Sequence, residues 1–107
     1  RKVHRSREVH RDGNGHLRDR ARRHEAYGRA ALDSELGWLA GTQPGERNIN
    51  VNLSAYRLGQ LVGMGHLDPG QVAGALVEAG RALGLGDLEL TSTIRSGMAA
   101  GMREPGR

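Results

Sequence analysis

The sequence predicts an all-α protein, a small four-helix bundle preceded by a basic, poorly ordered N-terminal arm. Three observations predict it. Apolar residues recur at three- and four-residue intervals in four stretches from about residue 21 onward, the spacing that lines one side of a helix. Gly, Pro and Asp clusters separate those stretches, and no run alternates apolar and polar residues as a half-buried strand does. The 107 residues are 36% hydrophobic, with no Phe, two Tyr and one Trp, which suffices for one modest core of Leu, Val and Ala.

Residues 1–20 form the expected arm. Val3, Val9 and Leu17 are its only large apolar side chains, too few to order the segment by burial. The Asp12-Gly13-Asn14-Gly15 cluster signals a turn and allows a small hairpin between Glu8–Arg11 and His16–Arg18, marginal without a hydrophobic face. The bundle is expected over 21–103, with helical composition setting in from Asp19. In the first helix Tyr27, Ala31, Leu32, Leu36, Trp38 and Leu39 occupy a broad half of the helical wheel, and Gly41 and Pro44 stop it. The second helix, about 48–64, carries Val51, Ala55, Leu58, Leu61 and Val62 on one side and closes at Gly63, Gly65 and His66.

Asp68-Pro69-Gly70-Gln71 then reads as an N-cap, a proline at the first helical position and a capping-box glutamine. Val72, Ala75, Leu76, Ala79 and Leu83 continue that third helix to Gly84 and Gly86. Asp87 is placed to cap a fourth helix with Leu90, Ile94 and Met98 at four-residue intervals, running to about Gly101. Residues 104–107 are a fraying tail with Pro105. The expected core includes Leu36, Trp38, Leu58, Leu61, Leu76 and Ile94.

Charge is unevenly placed. Residues 1–23 carry a net +6 and residues 24–107 a net −2, so the positive charge belongs to the arm. Fifteen Arg against a single Lys, with 17 Gly, also reflects GC-rich coding, which discounts arginine content by itself. No apolar run approaches the roughly 20 residues of a membrane span, so membrane insertion is not expected and the location expected is cytoplasmic. The absence of cysteine removes disulfides, thiolate metal sites and cysteine nucleophiles. The only lysine is Lys2, so a phosphate-binding Gly-x-x-x-x-Gly-Lys loop cannot occur. His4, His10, His16, His24 and His66 show no metal-ligand spacing, and no paired carboxylates sit on strands; neither metal, cofactor nor catalysis is expected of the chain alone.

Asn48, Asn52, Tyr56 and Gln60 recur every four residues along the second helix. Two uses are open. Beside Arg47 and Arg57, such a polar ladder with one aromatic suits single-stranded nucleic acid, with amides bonding phosphates, sugars or base edges and Tyr56 stacking on a base. Equally, Asn48 can cap the helix, Asn52 and Gln60 can be solvated or bond between helices, and Tyr56 can join the core. In the fourth helix Gly97 and Gly101 permit close helix contact while Arg95 points away, available to a phosphate or merely solvated. Arg18, Arg20, Arg22 and Arg23 are either nucleic-acid contacts or plain solvated charge.

The order Ala30-Ala31-Leu32-x-x-Glu35, then Pro44-Gly45-x-Arg47-Asn48-x-x-x-Asn52-x-x-Ala55-Tyr56-x-Leu58-Gly59-Gln60-Leu61-Val62, then Ile94-Arg95-Ser96-Gly97-Met98-x-Ala100-Gly101 resembles the helical C-terminal domain of phage- and plasmid-type bifunctional DNA primase/polymerases. The resemblance covers about residues 26–103. Val51 departs from the Leu usual before that Asn, and Pro105-Gly106-Arg107 departs from a common Pro-Arg ending. The resemblance implies an accessory module of a replication protein whose separate primase core carries the catalytic residues. Its partners would be single-stranded DNA template, the primase core and a helicase. Two roles follow: template binding, with nucleotide as a further ligand, through Arg47, Asn48, Asn52, Tyr56, Gln60, Arg95 and the arm arginines, or docking on the core or helicase through the same helix surface without touching DNA.

Overall fold

The computed structural model describes the backbone of residues 2–105 and the side chains of residues 17–105. Four helices follow one another, α1 (Lys2–Ala40), α2 (Arg47–Gly63), α3 (Pro69–Ala82) and α4 (Asp87–Arg103), with a 3-10 turn at Pro44–Glu46 ahead of α2. No strand occurs among the described residues.

Local chemistry explains most boundaries. Asp68 accepts a hydrogen bond from the Gln71 amide at 3.0 Å, and Pro69 starts α3 where no intrahelical donor is required. α2 and α3 both end in a residue with left-handed backbone, Gly65 (φ 85°) and Gly84 (φ 93°). There the His66 amide reaches back to the Leu61 carbonyl and the Leu85 amide to the Gly80 carbonyl, satisfying groups that the helix end would leave unpaired. At α4 the expected cap is not made. Gly86 occupies the N-cap position, and Asp87 is the first helical residue, its carboxylate turned to the Arg81 guanidinium at 3.0 and 3.1 Å.

α1 is longer than its apolar pattern suggests. Its helical backbone runs from Lys2, so the hairpin across Asp12–Gly15 does not form; the arm's side chains before Leu17 lie outside the described residues. From residue 17 to 26 every side chain is exposed, and burial begins at Gly28. These ten residues contribute no side chain to the core.

The chain alternates direction. Thr42 meets Asn50, Glu35 meets Ser54, and His24 meets His66, so α1 runs antiparallel to α2. The short connections reverse the chain at α3 and again at α4, leaving α2 and α4 parallel. Among the described residues α1 packs on α2 and α3, and its backbone does not come close to α4.

One core results, from Leu32 and Leu39 of α1, Val51, Ala55 and Leu58 of α2, Val72 and Leu76 of α3, and Leu90, Ile94 and Met98 of α4. Of the six residues expected inside, Leu58, Leu76 and Ile94 are buried, while Leu36 and Leu61 are half-buried at its margin. Trp38 is not in the core. It is 44% exposed, and the Arg57 guanidinium lies 4.8 Å from the centre of its ring. The reason is angular: Leu32 and Leu39 are seven residues apart and share one narrow line, and the residue beside Leu39 is turned about 100° away from it.

Candidate functional site

The seam between α2 and α4 is built from missing side chains. A β-carbon on Gly59 would stand 2.6 Å from the Met98 carbonyl oxygen, and one on Gly97 would stand 2.7 Å from the Ala55 β-carbon. One on Gly101 would fall onto the Tyr56 carbonyl oxygen. Gly63 continues the row, at 3.0 Å from the Met102 carbonyl oxygen. Two parallel backbones therefore approach with almost nothing between them, as small-residue interfaces allow.

The polar ladder of α2 borders this seam in a fixed register. Asn48 stands beside Thr93, Asn52 over Gly97, Tyr56 against Gly101 and Gln60 at Glu104, so both helices advance by nearly the same step. The Thr93 hydroxyl donates to Asn48 Oδ1 at 2.8 Å. The Tyr56 hydroxyl donates to Glu104 Oε1 at 2.6 Å, and Gln60 Nε2 donates to the Glu104 carbonyl at 3.0 Å. A hydroxyl-to-carboxylate bond of that length belongs to the strong, charge-assisted class. Three of the four ladder residues are thus engaged between helices. Asn52 is exposed at the mouth of a shallow groove that it shares with Ile49, Leu53, Tyr56, Ser96, Gly97 and Ala100. Asn48 lies within the helix and is not its cap, because α2 begins at Arg47 and Glu46 holds the N-cap position.

Arg47 is a clamp at the opposite end of the ladder. Its Nη1 donates to the Leu83 carbonyl at 2.7 Å and its Nε to the Pro44 carbonyl at 3.0 Å, tying the start of α2 to the end of α3. Arg57 lies on another side of α2, where its Nη1 meets Glu35 Oε2 at 2.9 Å. That same oxygen accepts from the buried Ser54 hydroxyl, also at 2.9 Å. Arg95 is exposed on the side of α4 turned toward α3, away from the ladder.

The arginines of α1 gather at the end of the bundle where the α2–α3 connection lies. Arg18, Arg20, Arg22 and Arg23 are all exposed, and Arg22 has a loose contact with Asp19 at 3.5 Å. Arg22 and Arg29 line a cleft of about 700 Å³ with Glu25, His66, Asp68 and Gln71. Of the neighbouring rings His66 lines it, and His66 is in turn stacked on His24 with centroids 3.7 Å apart and has Tyr27 tilted against it. The structure therefore divides the ten candidate residues into a seam group (Asn48, Asn52, Tyr56, Gln60), a clamp (Arg47), a residue on the α3–α4 side (Arg95) and an exposed basic shaft (Arg18, Arg20, Arg22, Arg23).

Four participants, Glu104, Arg29, His24 and His66, are not marked by any local sequence pattern. Glu104 was assigned to a fraying tail because Pro105 follows it, yet it terminates the ladder. Arg29 and the His24–His66 pair are separated in sequence by up to 42 residues, and no local pattern joins them. Among the described residues no group of three His, Asp or Glu is placed to hold a metal ion, and no helix is long and apolar enough to cross a membrane. No family model, curated protein or solved structure matches the chain.

Proposed function

We propose that this chain is a non-catalytic helical module of a replication protein of the primase/polymerase type, and that it holds single-stranded template DNA along the exposed residues 17–26 of α1. The observation that carries the reading is the solvent-exposed stretch 17–26, where Arg18, Arg20, Arg22 and Arg23 ride on a helix that buries no side chain there. A helical shaft presents its guanidinium groups in fixed order to a phosphate backbone, which costs less ordering than an unstructured arm would. Arg29 continues the basic side toward the bundle, and the exposed Tyr27 beside His66 offers a ring to a base. The resemblance of residues 26–103 to the primase/polymerase C-terminal domain supports the replication context.

The seam residues have a different part in this proposal. Arg47, Asn48, Tyr56 and Gln60 hold α2, α3 and α4 in register, and of the ladder only Asn52 remains for a ligand. Catalysis belongs to a separate primase core, to which the module would be joined.

Fluorescence anisotropy of the full chain with a labelled oligothymidylate tests the reading. Single-stranded binding weakens with salt at a slope of about −0.7 per phosphate neutralised. Replacing Arg18, Arg20, Arg22 and Arg23 by Ala should therefore flatten the log–log slope by up to about 3. Tyr27→Ala should weaken binding at all salt concentrations with the slope kept. Binding that ignores the four arginines, or no binding at low salt, overturns the proposal, and primer synthesis by the purified chain with magnesium or manganese overturns its non-catalytic part.

A further inference from the structure

On the side of the bundle that α1 leaves uncovered, α3 and α4 enclose an apolar groove of about 680 Å³. Its floor is Ile94 and Met98, nearly closed to solvent, with half-buried Ala73 and Val77 on the α3 side and exposed Met102 on the α4 side. The α3 wall is low, because Gly70 and Ala73 face it and the neighbouring Gly74 has open space around it. The α4 wall is charged. Arg95 and Arg103 stand two turns apart on the same line of α4, both exposed, and neither is ion-paired with a described residue.

We propose that this groove docks an amphipathic helix of a partner protein whose apolar stripe is flanked by carboxylates. The lining of α4 extends from Thr91 to Arg103, about 18 Å of helix, which matches three turns of a guest. Methionines on the floor and rim adapt to differing apolar anchors, as such grooves commonly require. Charge complementarity selects the guest: acidic residues beside its stripe would meet Arg95 and Arg103, whereas the exposed residues 17–26 of a second copy would bring arginines to arginines. Nucleic acid is disfavoured because the floor is aliphatic and offers no ring for a base to stack on. The inference stands apart from the template-binding proposal, since it uses the other side of the bundle.

Two synthetic 16-residue helical peptides sharing one leucine stripe, with either Glu or Lys along its flank, provide the probe. Titrated into the isotopically labelled full chain, the Glu peptide should shift amide resonances of residues 69–77 and 91–103. It should bind about five- to tenfold more tightly than the Lys peptide, the ratio expected for two exposed ion pairs. The double variant R95E/R103E should reverse that preference, and Ala73→Glu should abolish binding while circular dichroism stays unchanged. Equal affinity for both peptides, persistence of the preference in the double variant, or shifts outside the groove each overturn the proposal. So does an oligothymidylate that shifts the groove resonances and displaces the Glu peptide, which would assign the groove to nucleic acid. Tyr27→Ala and the four-arginine variant should keep full peptide affinity, so failure of template binding and failure of docking are read separately.

Discussion

The two surfaces that α2 presents to its neighbours are built on opposite principles. Toward α4 it meets backbone with backbone, and Gly59, Gly63, Gly97 and Gly101 are required because any side chain there would collide with a carbonyl group or a packed methyl. Toward α1 it meets side chains: Leu32 and Leu39 fill the core, and Glu35 gathers the Ser54 hydroxyl and the Arg57 guanidinium on one oxygen. The first surface has little area per residue and gains from close dispersion contact along two parallel helices. The second gains from removing large apolar groups from water. The seam therefore fails by intrusion and the α1 contact by loss, so enlarging a seam residue and truncating an α1 residue should both destabilise.

Loss is expected to be the larger effect. Leu39→Ala removes a fully buried side chain from the α1 contact and should cost about 2 to 5 kcal/mol in denaturant unfolding. Gly101→Ala should cost about 1 to 3 kcal/mol through overpacking, despite the roughly 1 kcal/mol by which Ala favours a helix over Gly. If Gly101→Ala proves neutral, the backbone contact at the seam does not exist and the comparison collapses. Glu35→Ala leaves the buried Ser54 hydroxyl without its acceptor and should cost about 1 to 3 kcal/mol, whereas Arg57→Ala, which removes only an exposed pair, should cost about 1 kcal/mol or less.

Gly74→Ala and Gly37→Ala sharpen the contrast from the other side. Both positions are helical, and an added β-carbon meets nothing within 4 Å, so each substitution should stabilise by about 0.5 to 1 kcal/mol. Thermal melts of the three alanine variants side by side would show whether the sign follows the neighbour, as argued.

The smallest effect concerns the α3–α4 connection. Its hydrogen bonds to Arg81, and then the guanidinium's charge, hold the Asp87 carboxyl below its ordinary 3.8. A lowered folded-state pKa contributes stability that is complete above the unfolded value and disappears as pH falls from about 4 through the folded value. Both side chains are exposed, so the change should be slight. Comparing melting temperature between pH 5 and 3 for the wild type and Asp87→Asn isolates it: the variant should lack this component of the acid sensitivity.

Much of this architecture was readable from the chain. Asp68-Pro69-x-Gln71 marked the start of α3 because capping is a local interaction, and Gly65 and Gly84 marked helix ends because left-handed backbone is a local demand. The four-residue recurrence of Asn48, Asn52, Tyr56 and Gln60 put them on one line, and Gly97 and Gly101 were visible as permissive of close contact. The residues that carry the family resemblance prove largely to be those that build the seam. Asn52 lies over Gly97, Tyr56 against Gly101, and Gly59 against Met98, so these residues have a structural duty of their own.

Periodicity, with the local capping and glycine signals, determined that the protein is helical from about residue 21 and which residues share a line. It could not determine what each line faces, since a wheel gives an angle within one helix and no partner. Only the tertiary structure decided that the ladder borders α4, that Arg47 serves as a clamp and that Glu104 completes the row. It also decided that Trp38 stays outside, because the position of α1 on α2 and α3 fixes which few degrees of its surface become core. Gly101 and Gly74 illustrate the physical reason: they are the same residue in the same kind of helix, and whether a β-carbon is forbidden or welcome depends on an atom from elsewhere in the chain.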